Sequence, residues 1–172
     1  MKSLPLQLML IAALLAIAAG AYYEFAPRRA PEVEFMTLHG KTLKTSDLLG
    51  KVVLVNFWST DCIPCVHEMP ELARVQRQFE ARGFDTIAVA MSYDPPNYVA
   101  RYSADADLPF EVALDPVGEI ARQFGDVRYT PTTVILDRRG YIIGRYEGEL
   151  HFAKLRKLLE QALQQGAQPR VE

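Results

Sequence analysis

The chain reads Phe57-Trp58-Ser59-Thr60-Asp61-Cys62-Ile63-Pro64-Cys65 directly after an apolar run that extends from Lys51 to Asn56. The pattern changes here from that of a buried strand to that of a helix, so both cysteines lie at a predicted strand-to-helix junction. Unpaired N–H groups in the first turn of a helix favour a thiolate over a thiol. A spacing of three residues also places the two sulfurs on one helix face, within reach of a disulfide. This stretch therefore predicts a reactive thiol pair.

The composition fits one globular domain with an appendage. The chain has 172 residues, 49% of them hydrophobic, and a formal net charge of −2. Because Lys and Arg are dispersed, we expect no nucleic-acid partner. The chain has only two cysteines, and a bridge across two intervening residues hardly constrains an unfolded chain. A reactive role therefore explains this cysteine pair better than a disulfide that stabilises the fold.

An uncharged apolar segment occupies residues 4–23. About 20 such residues span a bilayer core of about 30 Å, and Tyr22 and Tyr23 are placed as an interfacial belt would be. A cleaved signal peptide is the alternative, since small residues stand at cleavage spacing near Ala18. We favour the first interpretation, in which residues 1–23 form a membrane anchor that is retained. Lys2 on one side and Arg28 and Arg29 on the other leave its orientation open.

The rest of the chain divides into a linker (24–34), a domain (35–164) and a flexible tail (165–172). Within the domain the patterns predict a hairpin (35–38 and 41–43), a capped turn (45–50), strands at 52–57, 84–91, 110–114, 133–137 and 141–146, and helices at 63–81, 97–103, 118–124 and 149–164. Pro70 lies inside the first helix, where we expect a kink. The order βαβ, inserted elements and ββα predicts an α/β domain with one central mixed sheet and helices on both faces.

In this setting the chain resembles the thioredoxin superfamily, and within it the membrane-anchored, extracytoplasmic thiol-disulfide oxidoreductases of the TlpA and ResA type. The segments that carry the resemblance are Val55–Trp58, Cys62–Cys65, Glu68–Pro70, Leu114–Pro116 and Tyr129–Thr133. The resemblance implies a thioredoxin-like fold in which Cys62 is the nucleophile, Cys65 the resolving thiol and Pro131 a cis proline that faces them.

The resemblance also assigns neighbouring residues to the site. It implies that Glu68 handles a proton beside the resolving thiol, and that Thr130 pairs with an extended substrate segment. Trp58, Ile63 and Pro64 would shape the substrate surface. Each has a plainer alternative: Glu68 could be a solvated helix residue, Trp58 a core residue, and Thr130-Pro131 an ordinary trans bond.

Asp61 departs from the family pattern, because many relatives have an aromatic residue immediately before the first cysteine. Its side chain is suited to cap the helix. Its negative charge should oppose thiolate formation at Cys62. We therefore expect a mild nucleophile that reduces its partners rather than oxidising them, with Asp61 part of the substrate-binding surface.

These features together predict a protein-disulfide reductase that acts by thiol-disulfide exchange and needs no cofactor beyond the Cys62–Cys65 disulfide. The resemblance implies a place on the periplasmic side of the bacterial inner membrane and a membrane thiol protein as electron donor. It also implies envelope clients such as apocytochrome c, as in cytochrome c biogenesis. We expect a monomer.

Other chemistries of a thiol pair fit less well. Structural zinc requires four ligands, and no second CxxC or paired histidine motif is present. A thiol peroxidase would need a proline and a threonine where Val55 and Ser59 stand. A copper-binding assembly chaperone on the same fold usually has more widely spaced cysteines, and His151 lacks a matching motif. A purely structural thiol pair is the remaining alternative.

Overall fold

The computed structural model describes residues 8, 9, 11–15, 17 and 27–165. The predicted anchor therefore lies largely outside the described residues, as does the predicted tail except for Gln165. No helix among the described residues is long and apolar enough to cross a membrane.

Within residues 27–165 a single mixed sheet of seven strands forms the centre of the fold, in the order β2-β1-β5-β4-β3-β6-β7. The strands are β1 (Glu34–Thr37), β2 (Thr42–Lys44), β3 (Val52–Trp58), β4 (Phe84–Ala90), β5 (Glu111–Leu114), β6 (Thr132–Leu136) and β7 (Ile142–Glu147). Strands β3, β4 and β5 are mutually parallel, and β6 runs antiparallel to β3. This is the predicted mixed sheet, with the predicted hairpin of β1 and β2 joined to β5 through β1.

Helices cover the sheet on both faces, as predicted. They are α1 (Ile63–Phe79), α2 (Pro96–Asp105), α3 (Glu119–Gln123) and α4 (Phe152–Gln165), with 3₁₀ turns at Thr45–Leu48 and Glu80–Arg82. Apolar side chains of α1, α2 and α4 share one buried core, and those of α3 belong to the other.

The central strand β3 separates the two cores. Its seven residues are all buried. Alternate side chains point to opposite faces of a strand, so Val52, Leu54 and Trp58 belong to one core and Val53, Val55 and Phe57 to the other. The same alternation places Asn56 on the α1 side of the sheet, where a polar partner is needed.

Helix α1 ends at Phe79, two residues earlier than predicted, and a 3₁₀ turn continues to Arg82 before Gly83. Pro70 stays inside the helix. Proline has no N–H for the carbonyl of Val66, and the hydroxyl of Tyr102 on α2 donates to that carbonyl instead, at 3.4 Å.

Helix α4 begins at Phe152, three residues later than predicted. The preceding segment has a different role, because the backbone N–H of Leu150 donates to the side chain of Glu68 rather than entering a helix. Gly148 turns the chain there with a φ of 87°. The carbonyl of His151 then accepts the first bonds of the helix from Lys154 and Leu155.

The segment predicted as a linker is largely part of the domain. Arg29 forms a β-bridge with Tyr141, Ile142 donates its N–H to the carbonyl of Arg28 at 2.8 Å, and Val33 is buried. A row of unpaired backbone groups at the start of the edge strand β7 provides these partners. The described chain therefore joins the sheet by Arg28, six residues before the predicted end of the linker.

Candidate active site

The two cysteines form a disulfide at the N-terminus of α1. Cys62 is the N-cap residue of the helix, and its sulfur accepts a hydrogen bond from the backbone N–H of Cys65 at 3.3 Å. The Cα atoms of the two residues lie 5.2 Å apart. The cysteines follow the fully buried strand β3, which fixes the start of the turn that leads into α1. This turn lies at the end of the sheet where the parallel strands finish. A thiolate on Cys62 would be stabilised by the same N–H group and by the helix terminus.

The two sulfurs differ in access. Cys65 is fully buried within the α1 core, whereas Cys62 is only partly buried. A disulfide partner from solution can therefore approach Cys62 but not Cys65. This asymmetry matches the roles predicted for the nucleophile and the resolving thiol.

A surface cavity of about 410 Å³ lies over Cys62. Its lining consists of Ser59, Asp61, Cys62, Ile63, Pro64, Tyr93 and Thr130. The bond between Thr130 and Pro131 is cis, as the family resemblance implied. Four predicted substrate-binding residues, namely Asp61, Ile63, Pro64 and Thr130, thus meet at one site, although they come from two distant segments of the chain.

Glu68 lies one turn after Cys65, and its carboxyl group is buried in a polar network. Its Oε1 accepts from the side-chain amide of Asn56 at 3.0 Å, and its Oε2 accepts from the backbone N–H of Leu150 at 3.3 Å. The amide of Asn56 also donates to the hydroxyl of Thr133. Glu68 is therefore not the solvated helix residue of the plainer alternative.

The environment of Glu68 changes its acidity. Burial raises its pKa from the ordinary 4.5 to about 7, against the opposing effect of the hydrogen bonds from Leu150 and Asn56. The negative charge of Glu149 raises the pKa further. A carboxyl group with such a pKa can both accept and release a proton near neutral pH.

Asp61 does not cap α1, so that prediction is wrong. The N-cap position belongs to Cys62, one residue later, and the Asp61 carboxylate instead accepts a hydrogen bond of 2.5 Å from the Ser59 hydroxyl. Thr60 and Asp61 both belong to the turn between β3 and α1. The charge of Asp61 nevertheless remains beside Cys62.

Trp58 does not form part of the substrate surface, which corrects that prediction in favour of the plainer alternative. Its side chain is fully buried and packs against Tyr102, with the ring centroids 5.3 Å apart. It is the last residue of β3, and strand alternation directs it into the α1 core. The Trp58 side chain thus belongs to the core against which Cys62 packs.

The sequence alone did not identify Thr60, Tyr93 and Asp94 as residues of the site. The buried carboxylate of Asp94 accepts from both the backbone N–H and the hydroxyl of Thr60, each at 2.6 Å, and so holds the turn before Cys62. Tyr93 lines the cavity and lies 3.4 Å from the Thr130 hydroxyl. The available signal was that the loops after parallel neighbours β3 and β4 must meet at one edge of the sheet.

Metal ligation was a competing hypothesis for the cysteines. In the part of the chain that the structure describes, no three His, Cys, Asp or Glu side chains are grouped as metal ligands would be. His67 and His151 are both exposed.

Comparison with known proteins agrees with this geometry. The Redoxin family matches residues 26–159. A thiol-disulfide oxidoreductase ResA from Bacillus thuringiensis subsp. konkukian is 32% identical over 136 residues, which cover 77% of this chain and 76% of the relative. The thioredoxin-like protein YneN from Bacillus subtilis is 35% identical over 138 residues, covering 79% and 77%.

The fold also matches a solved structure. The crystal structure of a thiol:disulfide interchange protein of the thioredoxin family from Chlorobium tepidum superposes with a TM-score of 0.73. The two proteins are 28% identical, and the match covers 80% of this chain and 97% of the other.

Proposed function

Since this chain belongs to the Redoxin family and is a ResA/TlpA-like thiol-disulfide oxidoreductase of the thioredoxin superfamily, we propose that it reduces disulfides of envelope client proteins. The observation that carries this proposal is the pairing of an accessible Cys62 with a fully buried Cys65. One sulfur meets the client, and the other can act only within the protein.

The reaction begins with the reduced pair. The Cys62 thiolate attacks one sulfur of a client disulfide, and the other client sulfur leaves as a thiolate that takes up a proton. The Cys65 thiolate then attacks Sγ of Cys62 in the mixed disulfide and releases the first client sulfur as a thiol. Two electrons pass to the client, and the product is the Cys62–Cys65 disulfide seen in the structure.

Glu68 receives the proton of Cys65 during the second attack. Both residues are buried on one face of α1, so little water competes for that proton. The carboxylate form of Glu68 accepts the proton, and its pKa of about 7 leaves a substantial fraction in that form at neutral pH.

The proposal places the domain on the periplasmic side of the bacterial inner membrane. Residues 1–23 serve as the anchor. A membrane thiol protein returns the Cys62–Cys65 disulfide to the dithiol, and apocytochrome c is a client of the expected kind. The apolar segment 4–23 and the family membership support this arrangement. The protein works as a monomer without a further cofactor.

Trapping of clients tests the proposal. Cys65→Ala, expressed in the native host, should accumulate mixed disulfides through Cys62, because the second attack is removed. Cys62→Ala is the matched control and should trap nothing, because Cys65 is buried. The proteins joined to Cys62 can be identified after non-reducing electrophoresis. A Cys65→Ala protein that is folded and labelled at Cys62 by a thiol reagent, yet traps no protein, would contradict the exchange function.

A further inference from the structure

A basic surface lies at the end of the sheet opposite the disulfide. Strand β6 starts beside Phe57, near the cysteines, and ends beside Val53, so the turn that follows it occupies the far end. We call this surface the basic end; it consists of Arg28, Arg29, Arg138, Arg139 and Tyr141. The guanidinium carbons of Arg29 and Arg139 lie 5.1 and 5.2 Å from the centroid of the Tyr141 ring.

The charges of the basic end are only partly balanced. Asp137 accepts from Arg139 at 3.0 Å, which neutralises one cation. Arg138 donates to the backbone carbonyls of Gly50 and Arg82 rather than to a carboxylate. Among the described residues, Arg28, Arg29 and Arg138 form no ion pair.

The opposite end of the domain has the reverse charge. Asp61 and Asp94 lie beside the Cys62 turn, and no cation pairs with either of them in the described residues. The domain therefore carries surplus positive charge at one end of β3 and negative charge at the other.

The chain enters the domain at the basic end. Four residues, 24–27, separate the predicted anchor from Arg28, whose carbonyl is already bonded to Ile142. A fully extended chain of four residues reaches about 14 Å. An anchor in the bilayer would thus keep the basic end close to the lipid headgroups. The seven residues of β3 add about 20 Å between that end and Trp58.

We propose that the basic end binds the headgroups of anionic phospholipids and thereby holds the disulfide on the side of the domain away from the bilayer. This inference rests on the membrane anchor of the proposed function. Arg28 and Arg29 also border a cavity of about 620 Å³ with Arg145 on its wall, which offers room for a phosphate group. Anionic lipids would attract the basic end and repel Asp61 and Asp94.

Energy transfer from Trp58 to a labelled lipid tests the orientation. Trp58 is the only tryptophan in the chain and lies at the end of β3 that leads to the Cys62 turn. The full-length protein is reconstituted into phosphatidylcholine vesicles with a trace of dansyl-labelled lipid, with or without phosphatidylglycerol. We expect low transfer with phosphatidylglycerol and higher transfer without it, because the domain then tilts freely.

The double variant Arg28→Gln/Arg29→Gln should raise transfer on phosphatidylglycerol vesicles, since each arginine lost weakens the preference for the anionic surface about fivefold. The matched control, Arg74→Gln/Arg101→Gln, removes two exposed arginines from α1 and α2. It should leave transfer at the wild-type level.

Flotation of the vesicles separates the two hypotheses. If all proteins float with the vesicles but the double variant shows wild-type transfer, or the control rises equally, the orientation proposal is overturned. If the wild-type chain does not float at all, the membrane anchor itself is wrong and the orientation falls with it.

Discussion

Glu68 shows how a single buried carboxyl group links stability to pH. Its pKa of about 7 in the folded protein lies above the ordinary 4.5 because burial disfavours the charged form. The native state therefore holds the proton more tightly than the unfolded state does. The stability associated with this proton is fully present below about pH 4.5 and is lost as the pH rises through about 7.

Replacement of Glu68 by Gln should remove this pH dependence. Between pH 4.5 and 8, the unfolding free energy of the wild type should fall by about 3 kcal/mol relative to that of Glu68→Gln. Urea denaturation of the oxidised proteins across this range measures the difference. Glu71→Gln is the control, because the pKa of Glu71 is lowered by Arg156 and its replacement cannot produce a loss of the same sign. Parallel pH profiles for wild type and Glu68→Gln would rule out a raised pKa.

Asp61 places a negative charge beside Cys62, and its carboxylate accepts a hydrogen bond from the hydroxyl of Ser59. We expect Asp61→Asn to form the Cys62 thiolate at lower pH and to react faster with an alkylating reagent near pH 7, because a like charge has been removed. Asp126→Asn, at an exposed site outside the cavity, is the control. Thiolate absorbance followed during a pH titration is the measurement, and unchanged titration curves would argue against an electrostatic role for Asp61.

At the scale of elements, helix α1 tolerates Pro70 because α2 compensates for it. The carbonyl of Val66 lacks its helical partner, and the Tyr102 hydroxyl donates to it from α2. The ring of Tyr102 also packs against Trp58, so α2, α1 and the end of β3 meet in one cluster. This cluster lies directly beneath the turn that carries Cys62.

A double-mutant cycle tests this compensation. Tyr102→Phe should lower the unfolding free energy by about 1 kcal/mol, since it leaves the Val66 carbonyl without a partner and keeps the ring in place. In a Pro70→Ala background the helix regains its own N–H donor, so the same Tyr102→Phe change should cost much less. Urea denaturation of the four proteins gives the coupling energy. Equal costs in the two backgrounds would mean that the hydroxyl has no such role.

At the scale of the whole molecule, the sheet separates two tasks. The end of the sheet that follows β3 and β4 carries the disulfide and the cavity over Cys62, whereas the chain joins the sheet near the opposite end through Arg28. Two independent cores on either face of β3 keep these ends in a fixed relation.

Removal of residues 1–26 should therefore lower the reaction rate only for disulfides that are held at a membrane. The truncated protein keeps every described contact of the domain, so its rate with a soluble disulfide such as insulin should equal that of the full chain. With a disulfide peptide attached to the same vesicles, the full chain should react about a hundredfold faster, because tethering raises the effective concentration. Both rates are measured by thiol release. Equal rates of the two proteins with the vesicle-bound peptide would exclude a role of the N-terminal segment in delivery.

The sequence by itself determined the fold class and the central chemistry. Strand and helix periodicity predicted the mixed sheet, and the CxxC position predicted a disulfide at the start of α1, because burial and helix capping follow local patterns in the chain. The cis bond before Pro131 came only from the family resemblance, since most X-Pro bonds are trans.

Only the tertiary structure decided which distant groups meet. It buried Trp58 and Cys65, joined Asp94 to Thr60 across 34 residues, and paired Arg28 to Ala30 with the start of β7. These contacts depend on strand order and on which loops share an edge of the sheet. The βαβ order predicts that β3 and β4 are parallel neighbours, but local patterns do not specify the rest of the strand order, because it is set by the packing of the whole chain around both cores.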